Sequence, residues 1–229
     1  MFEFFLILIV LILIIAIIAA LSKSEVEQDF IEYIPVKRAR RKRKQSFNLT
    51  EKYLNNFFII DIETTGYIIG KNSIIEIAAI KVLEGKIVDE FQSLINHGRP
   101  IRKKIEKMTG ITTKMLKDAP TIDKILPMLL DFIGDFPLVG HNIVFDLRFI
   151  IHDIEKYALK FKLPILVDTL YLSKKAFPKL ENYKLATLIK HFNIKVEKRH
   201  RALSDAKACL DVYKKCFDIL NNRFPSSNK

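Results

Sequence analysis

The chain has 229 residues, 49% of them apolar, with a formal net charge of +12, which bounds it to one full domain and an appendage. Its only cysteines, Cys209 and Cys216, lie seven apart in a helical pattern and exclude a disulfide between them, and no Cys/His cluster supports structural zinc. Residues 45–229 alone carry 30 Lys or Arg against 21 Asp or Glu, so the basic excess is not confined to one tail and suits a polyanionic partner, nucleic acid first among them.

Phe4 to Leu21 holds no charged or polar side chain. Eighteen residues of helix rise about 27 Å, close to the hydrocarbon thickness of a bilayer. The run predicts a transmembrane anchor over residues 1–22. A cleaved signal peptide is the alternative, but Met1, Phe2 and Glu3 supply no positive n-region. All eight Lys or Arg of the first 44 residues follow the apolar run, seven of them between Lys37 and Lys44. By the positive-inside tendency this implies a membrane-anchored protein with its C-terminal domain in the cytoplasm. Residues 23–53 read as a charged linker, acidic at Glu25, Glu27, Asp29 and Glu32 and then basic. The basic run reads as attraction to lipid headgroups, as nucleic-acid contact, or as a solvated charge tract.

From Phe57 the pattern turns to strands: FFIIDIE, IIEIAAIKVLEG and KIVDEFQSLI, with a tight turn at Glu84-Gly85-Lys86, predict a three-stranded meander. Residues 101–133 read as helical, broken at Asp118-Ala119-Pro120 before an N-cap at Thr121. Two short apolar runs, 136–140 and 163–168, each precede a helical pattern and read as parallel strands of an α/β layer fold. Helices over 184–192 and 202–220 complete a domain spanning 54–222, with 223–229 as a tail.

Three segments carry chemistry. In DIETTG, Asp61 and Glu63 are two apart, so on an extended strand they share a face. Two like charges so placed repel, and a divalent cation between hard oxygen ligands, Mg²⁺ or Mn²⁺, relieves them. The Thr64-Thr65-Gly66 turn that follows lets backbone approach a substrate closely. In GHNIVFDLRFI, Asp146 falls on the first turn of a helix, after the polar pair His141-Asn142; a carboxylate there also has an ordinary role in stabilising a helix N-terminus. In HRALSDA, His200 precedes Asp205 by five, a loop histidine beside a helix-borne carboxylate, the arrangement of a general base next to a metal ligand. His97, His152 and His191 have no partners that the sequence identifies.

The three segments together resemble the three exonuclease motifs of the DEDDh family of 3′–5′ exonucleases, the DnaQ-like group that includes proofreading epsilon subunits. MTGITTKMLKDAP at 108–120 resembles the stretch between that family's first and second motifs, and the similarity spans about residues 54–220. The subgroup with tyrosine in the third motif is disfavoured by His200. The resemblance implies an RNase H-like α/β fold, a mixed sheet flanked by helices, with a two-metal site. Asp61, Glu63 and Asp205 would hold a first Mg²⁺, Asp61 would bridge to a second, and Asp146 would complete the set. Mn²⁺ would substitute, and His200 would deprotonate the attacking water. Thr64, Thr65, His141 and Asn142 would grip the terminal nucleotide of a DNA or RNA 3′ end. Products would be nucleoside 5′-monophosphates. Tyr67 departs from the family's frequent aliphatic residue, and the apolar N-terminal run departs from soluble proofreading subunits. A polymerase or repair partner has no support in the sequence itself. Two alternatives stand beside a membrane-tethered exonuclease: a polymerase-associated proofreading subunit, and a non-catalytic nucleic-acid-binding module tethered to the membrane.

Overall fold

A computed structural model describes residues 47–223. Five strands, β1 (Phe57–Thr64), β2 (Ile74–Leu83), β3 (Lys86–Leu94), β4 (Leu138–Gly140) and β5 (Leu166–Asp168), form one mixed sheet in the order β3-β2-β1-β4-β5. Seven helices among the described residues complete the fold: α1 (Lys103–Thr109), α2 (Thr113–Lys117), α3 (Ile122–Ile133), α4 (Ile143–Lys156), α5 (Thr169–Ala176), α6 (Leu185–His191) and α7 (Ala202–Arg223).

The expected meander is present, with Phe57 opposite Val82 and Leu83 opposite Lys86. Glu84 and Gly85 alone join β2 to β3, at φ 48° and 73°, the two-residue geometry whose twist matches the strands on either side. β4 and β5 lie parallel to β1 and to each other.

Alternation along β1 divides the interior. Phe58, Ile60 and Ile62 pack with residues of α3 and α4, whereas Phe57 and Ile59 pack with α5, α6 and α7. A central strand covered by helices on both faces is apolar at nearly every position. Asp61 and Glu63 therefore interrupt a strand that otherwise has every reason to be apolar, and they do so on the α7 side. Cys209 and Cys216 are buried and unbridged on α7, beside Thr169 and Ser173 of α5.

Residues 101–133 form three helices where the sequence reading has one break. Gly110 ends α1 at φ 70°, and Thr112 restarts the chain by accepting the Met115 N–H at 3.2 Å. The end of the expected linker also belongs to the domain. Leu166 N–H donates to the Asn48 carbonyl at 2.9 Å, and Thr50 N–H donates back to Leu166 at 2.8 Å. Tyr53 stacks on Tyr213 at 5.6 Å, whose hydroxyl accepts the Leu54 N–H at 2.7 Å and donates to the Leu54 carbonyl at 3.1 Å.

The expectation of a membrane-anchored protein is corrected here. Among the described residues no helix is long and apolar enough to cross a membrane. The longest, α7, is amphipathic: it buries Cys209, Val212 and Tyr213 and exposes Lys207, Asp211, Lys215 and Asp218. The apolar run Phe4 to Leu21 lies outside the described residues.

Candidate active site

β1 outlasts its parallel neighbour. β4 is in register with Phe58 and Ile59 and ends at Gly140, so the Ile62 N–H, which points to that side, has no strand partner. Asp146 Oδ1 accepts it at 3.1 Å. A backbone donor left unpaired in a buried edge is costly, and the carboxylate at the start of α4 meets that need while standing beside Asp61. The chain delivers Asp146 there through a tight corner. A Cβ on Gly140 would lie 2.9 Å from Ile143 and 3.2 Å from the Ile60 carbonyl, and Asn142 takes φ 61° at the helix start.

The third segment arrives on the opposite face. His200 sits at φ 58° just before α7, and its N–H donates to Asp205 Oδ2 at 3.1 Å. Arg199 Nε donates to the other oxygen of Asp205 at 2.9 Å. Glu63, Asp146 and Asp205 are buried, at 8%, 5% and 6% exposure, so the cluster has little water to solvate its charge.

Burial and mutual repulsion set the electrostatics. Burial first, then Asp146, Asp205, Glu63 and Glu76, hold the Asp61 carboxyl well above the ordinary carboxylate range. Glu63 is pushed up to about 8 by burial, Asp205, Glu76 and Asp146, with Arg201 opposing. Asp146 is raised by burial against the lowering effect of the Ile62 N–H. Three acids that resist ionisation side by side form a site that a divalent cation would satisfy. Among the described residues, Glu63, His200 and Asp205 offer ligand atoms all within 4.8 Å of one another. Asp61 and Asp146 stand next to this group rather than within it. The carboxylate oxygens of Glu63 and Asp205, with Asp61 and Asp146 beside them, fit Mg²⁺ or Mn²⁺.

The four residues expected to grip a nucleotide differ in what they have free. The Thr64 hydroxyl donates to the Gly66 carbonyl at 2.7 Å. Thr65 N–H donates to Ser73 at 2.9 Å, and its carbonyl accepts Arg102 Nη2 at 2.6 Å. His141 is pulled down to about 4, chiefly by burial, and is therefore neutral near pH 7. Its Nε2 donates to the Tyr183 carbonyl at 2.9 Å, which leaves Nδ1 to accept from the Thr169 hydroxyl at 2.9 Å. Both ring nitrogens are thus engaged inside the protein. Asn142 is exposed and its side chain makes no cap bond.

Four neighbours of the cluster escape the sequence reading. Asp168 accepts the Asn142 and Leu170 N–H groups at 2.9 Å each, tying β5 to the start of α4. Arg199 pairs with Asp205, and Arg201 pairs with Glu76. Glu76 had a signal: an acid inside the apolar run IIEIAAI demands a buried partner. The partner itself lies 125 residues away and has no local mark.

A mixed α/β sheet that gathers carboxylates from β1, α4 and α7 beside a histidine is an arrangement suited to metal-assisted phosphodiester chemistry. A family model described as Exonuclease matches residues 58–213, and the chain belongs to that family. DNA polymerase III subunit epsilon of Aquifex aeolicus is 38% identical over 165 residues, covering 72% of this chain and 81% of that protein. DNA polymerase III PolC-type of Caldanaerobacter subterraneus subsp. tengcongensis is 43% identical over 164 residues. The match covers 72% of this chain but only 12% of that polymerase's length. A solved structure of Exonuclease X in complex with 5′ overhanging duplex DNA is 29% identical with a TM-score of 0.54, covering 72% of this chain and 92% of that one. The fold is RNase H-like, and the domain is an exonuclease domain homologous to the DEDDh 3′–5′ exonucleases. The relatives are named as polymerase chains, and a membrane partner gains nothing from them.

Proposed function

We propose that this chain is a Mg²⁺-dependent exonuclease that trims single-stranded 3′ ends of nucleic acid to nucleoside 5′-monophosphates. Asp61, Glu63, Asp146 and Asp205 hold the cations, with Mn²⁺ able to substitute. The observation that carries this is the convergence of four acids from three elements into one buried cluster with His200 beside it. Two cations, when bound, neutralise the cluster and stabilise charge on the attacking and leaving oxygens.

The chain's own groups do the rest. His200 takes the proton of the attacking water, which it can do from a loop that places its ring beside Glu63 and Asp205. Asn142 offers an exposed carboxamide to the terminal nucleotide. His141, neutral and fixed at both nitrogens, positions the Gly140–Asn142 corner and so the start of α4. The basic body, 30 Lys or Arg against 21 Asp or Glu beyond residue 44, attracts the phosphate backbone.

The test is incubation with single-stranded DNA, 3′-recessed DNA and RNA oligomers in Mg²⁺ or Mn²⁺. Stepwise release of nucleoside 5′-monophosphates is expected; their absence with both metals rejects the reading. Comparing turnover on matched DNA and RNA sets the substrate, because the 2′-hydroxyl contact decides it.

The likeness to an epsilon subunit favours a second reading, a proofreading partner of a polymerase. Co-purification with a polymerase chain under physiological salt is its test, and recovery of the nuclease alone counts against it.

A further inference from the structure

Glu76 is completely buried near the start of β2, and no step of the proposed chemistry uses it. A buried carboxylate is tolerated only when its charge and lone pairs are met. Here they are. Arg201 Nε lies 3.1 Å from Oε1 and 3.0 Å from Oε2, and Arg201 Nη2 lies 2.7 Å from Oε1. Ala202 N–H donates to Oε2 at 3.0 Å, and Gln92 Nε2 donates to Oε1 at 2.7 Å. The bonds tie β2 and β3 to the N-terminus of α7.

Arg201 is the immediate neighbour of His200, and His200 holds a left-handed φ of 58°. That conformation crowds the Cβ of any residue other than glycine and persists only where the flanks over-determine it. Both flanks are fixed by charge. On one side Arg199 and the His200 N–H grip Asp205. On the other, Arg201 and the Ala202 N–H grip Glu76. Glu76 also faces Glu63 directly in the β1–β2 register, an arrangement of like charges that repels, so the guanidinium offsets both.

We propose that Arg201 and Glu76 form a positioning pair for His200, holding the backbone from which its ring reaches the attacking water. The inference rests on the reading of His200 as the base. Neither residue of the pair is among the groups proposed to contact substrate or to hold the cations.

The experiment is a double-mutant cycle with the full chain on a single-stranded DNA oligomer in Mg²⁺. Arg201→Gln is expected to lower kcat about 30- to 100-fold with KM changed less than about threefold, the scale of a base displaced by about an ångström. In a His200→Ala background the same substitution is expected to remove less than about a further threefold, because its effect passes through the histidine. Arg201→Lys keeps the charge and loses the two-nitrogen grip, so its kcat should fall between the two. Thermal unfolding monitors the fold; if Arg201→Gln does not fold, the cycle is run with Arg201→Lys. Equal losses in both backgrounds, or no loss in either, overturn the pair. An inactive wild type overturns the exonuclease reading and the pair with it.

Discussion

At the scale of residues, the same side chains that would do chemistry weaken the fold. Asp61 is held above its ordinary range by burial and by four neighbouring acids, so its ionised form is a cost that a cation must offset. Asp61→Asn is therefore expected to act in two directions. Turnover should fall on the order of 10³-fold, the scale seen when a group aimed at transition-state charge is lost, while the melting temperature in EDTA should rise. A variant that loses activity and melts lower would place Asp61 among ordinary structural acids. Tyr213 gives the opposite case, a polar group with no part in catalysis. Its hydroxyl both accepts from and donates to the Leu54 backbone, and Tyr213→Phe should cost about 1–3 kcal/mol by leaving those groups unpaired, measurable by urea unfolding with turnover unchanged. Asp61, Glu63, Asp146, His200 and Asp205 could be read from the chain because acids recur there in order and in matching context. The pairing of Glu76 with Arg201 could not, because partners 125 residues apart meet only when the sheet brings β2 under α7, although the acid inside IIEIAAI marks one end of it.

At the scale of elements, turn chemistry was the most legible feature and helix division the least. A near-continuous apolar run before Glu84-Gly85 and a strand pattern after it mark β2 and β3 together, since only a two-residue turn keeps Leu83 opposite Lys86. Glu84 is nonetheless a poor residue for φ 48°. Glu84→Asn should stabilise the domain by about 0.5–1 kcal/mol, because Asn tolerates that region; a lower melting temperature would show that the Glu84 side chain does something the turn geometry does not require. Only one break is legible in residues 101–133, because Pro120 is an obvious stop and Gly110 is not, a lone glycine being tolerated inside many helices. Gly140 is the element boundary that matters most to the site. Gly140→Ala would drive a methyl group against Ile143 and the Ile60 carbonyl. The expected cost is about 1–3 kcal/mol, with a loss of turnover larger than the loss of folded protein because the start of α4 carries Asp146. Equal losses would mean that the corner serves packing alone.

At the scale of the whole molecule, the domain begins before the first strand and its stability is linked to metal and pH. Asn48 and Thr50 pair with Leu166, Glu51 with Lys175, and Tyr53 with Tyr213. A chain starting at residue 54 should consequently melt below one starting at residue 45, and equal melting would return those residues to the linker. The linkage to pH follows from the sign of the shifts. Asp61, Glu63 and Asp146 all hold their protons more tightly when folded than an exposed carboxyl does, Glu63 up to about 8. In EDTA, between the ordinary carboxylate value near pH 4 and about pH 8, the unfolded chain binds fewer protons than the folded one. Stability contributed by these groups is fully present below that window and is lost as pH rises through it. A divalent cation reverses the trend, because it binds the folded, ionised cluster and not the unfolded chain; at about a hundredfold excess over its Kd it adds about 2.7 kcal/mol. Since the acids must release protons to bind it, the rise in melting temperature on adding Mg²⁺ should be larger near pH 8 than near pH 5. Melting curves at about pH 5, 6.5 and 8, with EDTA and with Mg²⁺, read both slopes at once. A melting temperature flat in EDTA and unmoved by Mg²⁺ at every pH would mean that the acids are already satisfied within the protein, and the cluster would lose its claim to hold a cation.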